Sequence, residues 1–305
     1  MSAVLELALS LREVVLPELG SHAGRVQEGT APGGDATFAI DARAEEHLED
    51  WVRRHAPGVA FFSEDRGLVG EGDKVLVVDP IDGTRPAMAG FESACVSVAL
   101  AAGMPDPRMR DVEEAAIVEI KSGHRFVARR GGGVESTVPV RLSPNEDVER
   151  MFWVYGLRGR PSRAVVEVLA ELLDASSTWG AAFDLGSATY DMTRILTGQL
   201  DAYVEPSPRI VEEVDGMREQ FERVGRGGIL NNTPYDLAAA VLCLAEGGAV
   251  VTDARGEPLD DRPLLGSGPE HQMSCVAAAN PALHALLLAA VDEGVRRLTE
   301  TASDR

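Results

Sequence analysis

Apolar positions along the chain follow two periods. Short β-branched runs bounded by Gly, Pro and Asp predict strands over residues 59–62, 74–78, 94–102, 115–121 and 125–129. Apolar residues recurring at helical spacing predict an amphipathic helix within residues 1–20 and further helices over residues 42–55, 162–173, 186–196, 234–246 and 281–298. Shorter strands at residues 152–155, 202–204, 249–251 and 275–278 separate the later helices. The first half is therefore sheet-rich, and the second alternates helix with strand, which gives an α/β (α+β) class. A charged stretch with Pro144, around residues 143–150, predicts a boundary between residues 1–147 and residues 148–305.

Composition adds exclusions. The chain has 305 residues, 45% of them hydrophobic and 26% charged, enough for a substantial core. Acidic residues outnumber basic ones by 49 to 29, and the net charge of −20 argues against nucleic acid or an anionic membrane as a partner. Cys95, Cys243 and Cys275 are scattered in apolar surroundings and read as reduced core thiols. Glu6, Arg12, Glu13 and Glu18 interrupt the apolar residues of the first helix, which suits a cytoplasmic protein better than a leader peptide. No apolar stretch is long enough to span a bilayer, and the six histidines have no ligand spacing.

The chemistry concentrates after residue 74. The run Lys74-Val75-Leu76-Val77-Val78 leads into Asp79-Pro80-Ile81-Asp82-Gly83-Thr84. A strand leaving the core here delivers two carboxylates to one end, where a hard divalent cation finds oxygen ligands. Pro80 stiffens the exit, and Gly83 lets the backbone approach a ligand. A helix starting at Thr84 turns its N–H groups toward an anion, so metal and phosphate meet at one turn. Asp-Pro and Asp-Gly are also ordinary turn formers. Asp41, Glu64 and Asp236 extend the carboxylate set, each at the end of a predicted element or in the first turn of a helix; Asp41 and Ser187 could equally serve as helix caps.

These segments occur in a fixed order. Asp41 and Glu45, Ser63-Glu64-Asp65, the hexapeptide from Asp79, Gly186-Ser187-Ala188 and Tyr235-Asp236-Leu237-Ala238-Ala239 resemble the motifs of the inositol monophosphatase family, over roughly residues 35–280. Phe126 to Gly133 and Leu200 to Glu205 are similar to two further stretches of it. The resemblance implies an αβαβα five-layered sandwich and a Mg²⁺-dependent, lithium-sensitive phosphomonoesterase, commonly a homodimer, acting on a small phosphorylated metabolite. It implies Glu64, Asp79 and the Ile81 carbonyl as ligands of one Mg²⁺, and Asp79, Asp82 and Asp236 as ligands of a second. Asp41 would assist a third ion or orient its water. Glu64 and Thr84 would orient a metal-activated water. Asp82, Gly83 and Thr84 would hold the phosphate, and Gly186, Ser187, Glu205 and Asp236 would face the rest of the substrate.

Several positions depart from the pattern. Thr30 stands where the family commonly has Lys, and Arg85-Pro86-Ala87-Met88 follows the turn where an aromatic residue is usual. Arg85 is either a solvated turn residue or a contact to a second anionic group of the substrate. An insertion over residues 206–234, helix-like at 210–224, separates Glu205 from Tyr235 and is expected beside the active site as a lid, a dimer contact or a surface excursion. It puts inositol phosphate itself in question and leaves a polyol, sugar or nucleoside phosphate as substrate. A bisphosphatase acting on fructose-1,6-bisphosphate or a 3′-phosphonucleotide is the alternative within the enzymes, and a catalytically silent binder of Mg²⁺ and a phosphorylated ligand is the alternative outside them.

Overall fold

The computed structural model describes residues 2–303, and it stacks helices and sheets in five layers. Helices α1 (Ala3–Val15) and α2 (Ala39–His55) form the first layer. α1 buries Val4, Leu7, Ala8, Leu11 and Val15, and α2 buries Ile40, Ala44, Leu48 and Val52, each an unbroken stripe at helical spacing.

The second layer is a seven-stranded sheet in the order β4-β3-β5-β6-β7-β8-β9. Its strands are β3 (Ala60–Ser63), β4 (Gly67–Val69), β5 (Val75–Asp82), β6 (Cys95–Ala101), β7 (Val112–Glu119), β8 (Arg125–Arg129) and β9 (Gly133–Ser136). All neighbours are antiparallel except β3 and β5. Both faces are covered, so the strands read as continuous apolar runs whose alternate residues enter different cores. Leu76 and Val78 face α1 and α2, while Val75 and Val77 join a second core with Ala99, Ala115 and Ile117.

That second core is filled by α5 (Ala188–Leu196) and α8 (Pro234–Glu246), the third layer. α8 is apolar nearly all round, burying Leu237, Ala238, Ala239, Ala240, Leu242, Cys243 and Leu244, as a helix enclosed by two sheets must. The fourth layer is a five-stranded sheet in the order β11-β10-β12-β14-β13, from β10 (Phe152–Val154), β11 (Ala181–Phe183), β12 (Ala202–Glu205), β13 (Val250–Thr252) and β14 (Cys275–Ala278). Tyr203, Cys275 and Ala277 face α8, whereas Trp153, Val204 and Val276 face α4 (Ser162–Ala175) and α9 (Pro281–Ser303), the fifth layer. The αβαβα sandwich expected from the motifs is the observed architecture.

Some elements differ from their expected form. A polar hairpin, β1 (Gln27–Thr30) and β2 (Ala36–Phe38), occupies the Gly- and Pro-containing stretch before α2. The helix expected over 210–224 is two, α6 (Ser207–Glu213) and α7 (Met217–Val224), parted where Gly216 turns at a φ of 73°. Residues 206–234 are no loose excursion. Ile210, Val214, Met217, Phe221 and Ile229 belong to the outer core beneath α4 and α9.

Candidate active site

The ends of β3 and β5 meet the N-termini of α2, α5 and α8 at one cleft. Asp79 and Asp82 are three residues apart, a spacing that sends side chains to opposite faces of a regular strand. Between them β5 carries one extra residue: Asp79 pairs with Ser97 but Asp82 with Cys95. This bulge, at Pro80, which has no N–H to give the ladder, turns both carboxylates toward the inner helices. Asp236 sits in the first turn of α8, its Oδ2 accepting from the Thr233 amide at 2.7 Å and hydroxyl at 2.8 Å. Carboxylate oxygens of Asp79, Asp82 and Asp236 lie within 4.8 Å of one another.

Each of the three is held by the local fold. Asp82 Oδ2 accepts from the Ser187 hydroxyl at 2.9 Å and the Thr189 amide at 2.6 Å, at the start of α5. Asp79 Oδ1 accepts from the Ile81 amide at 2.9 Å. The Thr189 hydroxyl donates to the Asp236 carbonyl at 2.7 Å, which joins the starts of α5 and α8. Gly83 follows with a φ of 91°, and a Cβ there would come within 2.6 Å of the Ser93 carbonyl oxygen and 2.9 Å of Ser187 Cβ, so only glycine fits between the turn and α5. The helix beginning at Thr84, α3 (Thr84–Ala89), is a short one of six residues.

Glu64 follows β3, and its turn is fixed from behind. Glu45, buried on α2, accepts from the Ser63 hydroxyl at 2.7 Å and the Asp65 amide at 3.2 Å, gripping the residues on either side. Asp41 both caps and reaches inward: it accepts from the Phe38 amide at 2.9 Å and from the Thr84 hydroxyl at 3.1 Å. That hydroxyl also lies 3.2 Å from the Ile81 carbonyl.

The electrostatics follow from crowding. Burial pushes Asp79 well above the usual carboxylate range, and the negative charges of Asp82, Glu64 and Asp236 push it further. Burial does the same to Glu64, reinforced by Asp35, Asp236, Asp41 and Asp65. Asp236 rises to about 7, through burial and then Asp82, against the two Thr233 hydrogen bonds. Asp41 and Glu45 each rise to about 7 through burial. Such a set binds protons unless a cation replaces them, and its all-oxygen donors are those a hard divalent cation prefers. The residues present fit a metal centre.

A cleft of about 710 Å³, its mouth included, opens beside this cluster, and Glu64, Asp82, Gly186, Ser187, Glu205 and Asp236 line it. Arg85 does not line it: it pairs with Asp35 at 3.0 Å and lies over the Phe38 ring, 5.4 Å from its centroid. Glu205 is fully buried, its Oε2 2.8 Å from Arg160 and its Oε1 accepting from the Ser207 amide at 2.8 Å where the insertion departs.

Sequence patterns missed four cleft residues. Asp35, at the tip of the β1–β2 hairpin, is bridged by Arg85 and by Arg158 at 2.5 Å; burial raises its pKa, but the two guanidiniums outweigh that and hold it low. Arg160 and Asn231 complete the far wall. None of these belongs to a local motif, because they meet only through the fold.

A profile of the inositol monophosphatase family matches residues 1–296. The chain belongs to that family. Among its relatives, the "Nus factor SuhB" of Xylella fastidiosa is 26% identical over 269 residues, covering 86% of this chain and 84% of the relative. The "Fructose-1,6-bisphosphatase/inositol-1-monophosphatase" of Methanothermobacter thermautotrophicus is 26% identical over 292 residues, 91% of each chain. The solved Thermotoga maritima IMPase superposes with a TM-score of 0.71 over 96% of both chains at 19% identity, which speaks for the fold alone. Glu64, Asp82, Gly186, Ser187 and Asp236, all from segments that resemble the family's motifs, line one cleft.

Proposed function

We propose that this member of the family is a Mg²⁺-dependent phosphomonoesterase that releases inorganic phosphate from a small phosphorylated polyol, sugar or nucleoside. The observation that carries the reading is the convergence of Asp79, Asp82 and Asp236 within 4.8 Å, with Asp82 and Asp236 lining a cleft. These three, with Glu64 and the Ile81 carbonyl, would hold two Mg²⁺ ions, and Asp41 would assist a third. When bound, the ions offset the carboxylate and phosphoryl charges and make water a stronger nucleophile.

The chain's own groups do the positioning. Glu64 and the Thr84 hydroxyl, the latter fixed between Asp41 and the Ile81 carbonyl, orient the attacking water. Asp82 and the amides of Gly83 and Thr84 set the phosphoryl group in line. Water's oxygen forms a bond to phosphorus as the ester P–O bond breaks and the alcohol departs, with no covalent phosphoenzyme. Gly186, Ser187, Glu205 and Asp236 bound the space for the alcohol half.

Three buried, unpaired cysteines support a reducing compartment such as the cytoplasm. Exposed Phe152, Trp179 and Phe183 at the β11 edge support a homodimer. Among the described residues no helix is long and apolar enough to cross a membrane.

A panel of phosphate esters, assayed for phosphate release with Mg²⁺ and with a chelator, tests the reading. Mg²⁺-dependent release with one clear preference is expected, and no turnover of any ester would overturn it. A preference for fructose-1,6-bisphosphate or a 3′-phosphonucleotide would select the bisphosphatase alternative, which the name of the Methanothermobacter relative supports. A silent role as a binding partner draws support from the relative named a Nus factor. The undiminished carboxylate set favours catalysis.

A further inference from the structure

One wall of the cleft is built partly by the segment that precedes α8. After α7 the chain returns along the cleft through Ile229, Leu230, Asn231, Asn232 and Thr233 before α8 begins. This return is anchored on both sides: the Asn232 carbonyl accepts from the Met273 amide at 2.9 Å, and the Ile229 carbonyl from the Gln272 side chain.

The two adjacent asparagines differ. Asn232 is satisfied: it donates to the Tyr203 hydroxyl at 2.6 Å and accepts from Arg160 at 3.4 Å. Asn231 is only 8% exposed, yet neither its Oδ1 nor its Nδ2 has a partner. A buried amide left wholly unpaired is unusual and calls for a partner that arrives later. Both atoms belong to a residue that lines the cleft.

The neighbouring charges say what that partner is. Arg158 and Arg160 are the only cationic side chains lining the cleft among the described residues. Each already faces a carboxylate, Arg158 that of Asp35 and Arg160 that of Glu205, although the buried Nε of Arg160 keeps one donor without an acceptor. Asp184 and Asp191 also line the cleft, and one buried oxygen of Asp191 has no donor. A second phosphate would therefore meet a wall rich in carboxylates whose two guanidinium charges are already balanced by Asp35 and Glu205, and as an acceptor it could not satisfy the Asn231 oxygen. Hydroxyl groups both donate and accept, so a neighbouring pair of them satisfies both ends of one amide.

We propose that Asn231, carried to the cleft by the insertion, is a specificity-determining residue that pairs its amide with hydroxyl groups on the alcohol half of a phosphate monoester, and that this wall disfavours a second phosphate. The inference rests on the phosphomonoesterase reading and narrows its substrate class.

The test uses the full chain with Mg²⁺ and three probes: glucitol 6-phosphate, hexyl phosphate, which has no hydroxyls, and fructose 1,6-bisphosphate. The measured quantity is the ratio of kcat/KM for glucitol 6-phosphate to that for hexyl phosphate. A high ratio in the wild type should fall about 10-fold or more in Asn231→Leu, which strands the substrate hydroxyls. Asn231→Ala, smaller and without polar side-chain atoms, should lower the ratio too, and it serves if thermal unfolding shows the leucine variant misfolded. A wild-type ratio near one, a ratio unmoved in the folded variants, or wild-type preference for the bisphosphate would overturn the proposal while leaving a phosphatase. No phosphate release from any probe would instead bring down the reading beneath it.

Discussion

At the residue scale, Asp82 joins the strand, the helix and the metal cluster. Its Oδ2 takes two hydrogen bonds from the start of α5, while its charge adds to that of Asp79 and Asp236. Asp82→Asn keeps an oxygen for those donors and removes the charge. Turnover with Mg²⁺ should drop by on the order of 10²–10³ or more, as when a group stabilising the transition state is lost. Stability in chelator should be unchanged or higher, because relief of like-charge crowding accompanies the loss of charge. Phosphate release and urea unfolding of the same preparation check both halves, and near-normal turnover would remove Asp82 from the site.

At the element scale, the segment over residues 206–234 behaves as part of the wall. Phe221 of α7 is fully buried in the outer core, and the segment leaving α7 leads straight to Asn231 and Asp236. Phe221→Ala should cost about 3–5 kcal/mol of stability, the usual loss for a large buried ring. Urea unfolding measures it, and an unchanged midpoint would mean that the insertion is merely appended. The same element shows what sequence patterns can and cannot carry. β5, β6, β7 and α8 were legible because long apolar runs leave one period standing. β1 was not, since Gln27–Thr30 holds no apolar side chain and is exposed throughout. Glu64, Asp79, Asp82 and Asp236 lie in local motifs and could be singled out, although the face taken by Asp79 and Asp82 depended on the bulge at Pro80, which periodicity does not encode. Asp35, Arg158 and Asn231 sit on a hairpin, a loop after β10 and the end of the insertion, so no spacing connects them before folding.

At the scale of the whole molecule, buried acid governs stability. Asp41, Glu45 and Asp236 hold their protons up to about pH 7 in the folded chain, whereas in the unfolded chain they release them near their ordinary values of 3.8, 4.5 and 3.8. The folded state therefore binds more protons across that interval, and without metal its stability should fall as the pH rises from about 4 to 7. The net charge of −20 works in the same direction, because self-repulsion grows as carboxyls ionise. Mg²⁺ reverses the trend: it needs ionised ligands, so its stabilisation grows over the same interval and reaches about 2.7 kcal/mol at a hundredfold excess over its Kd. Calorimetric unfolding across this range should give a Tm that declines with pH in chelator and a widening gap above it in Mg²⁺. The gap carries the metal assignment independently of any substrate: two superimposed curves at pH 8 would mean that the carboxylates of the cleft hold no ion, even if the fold stands.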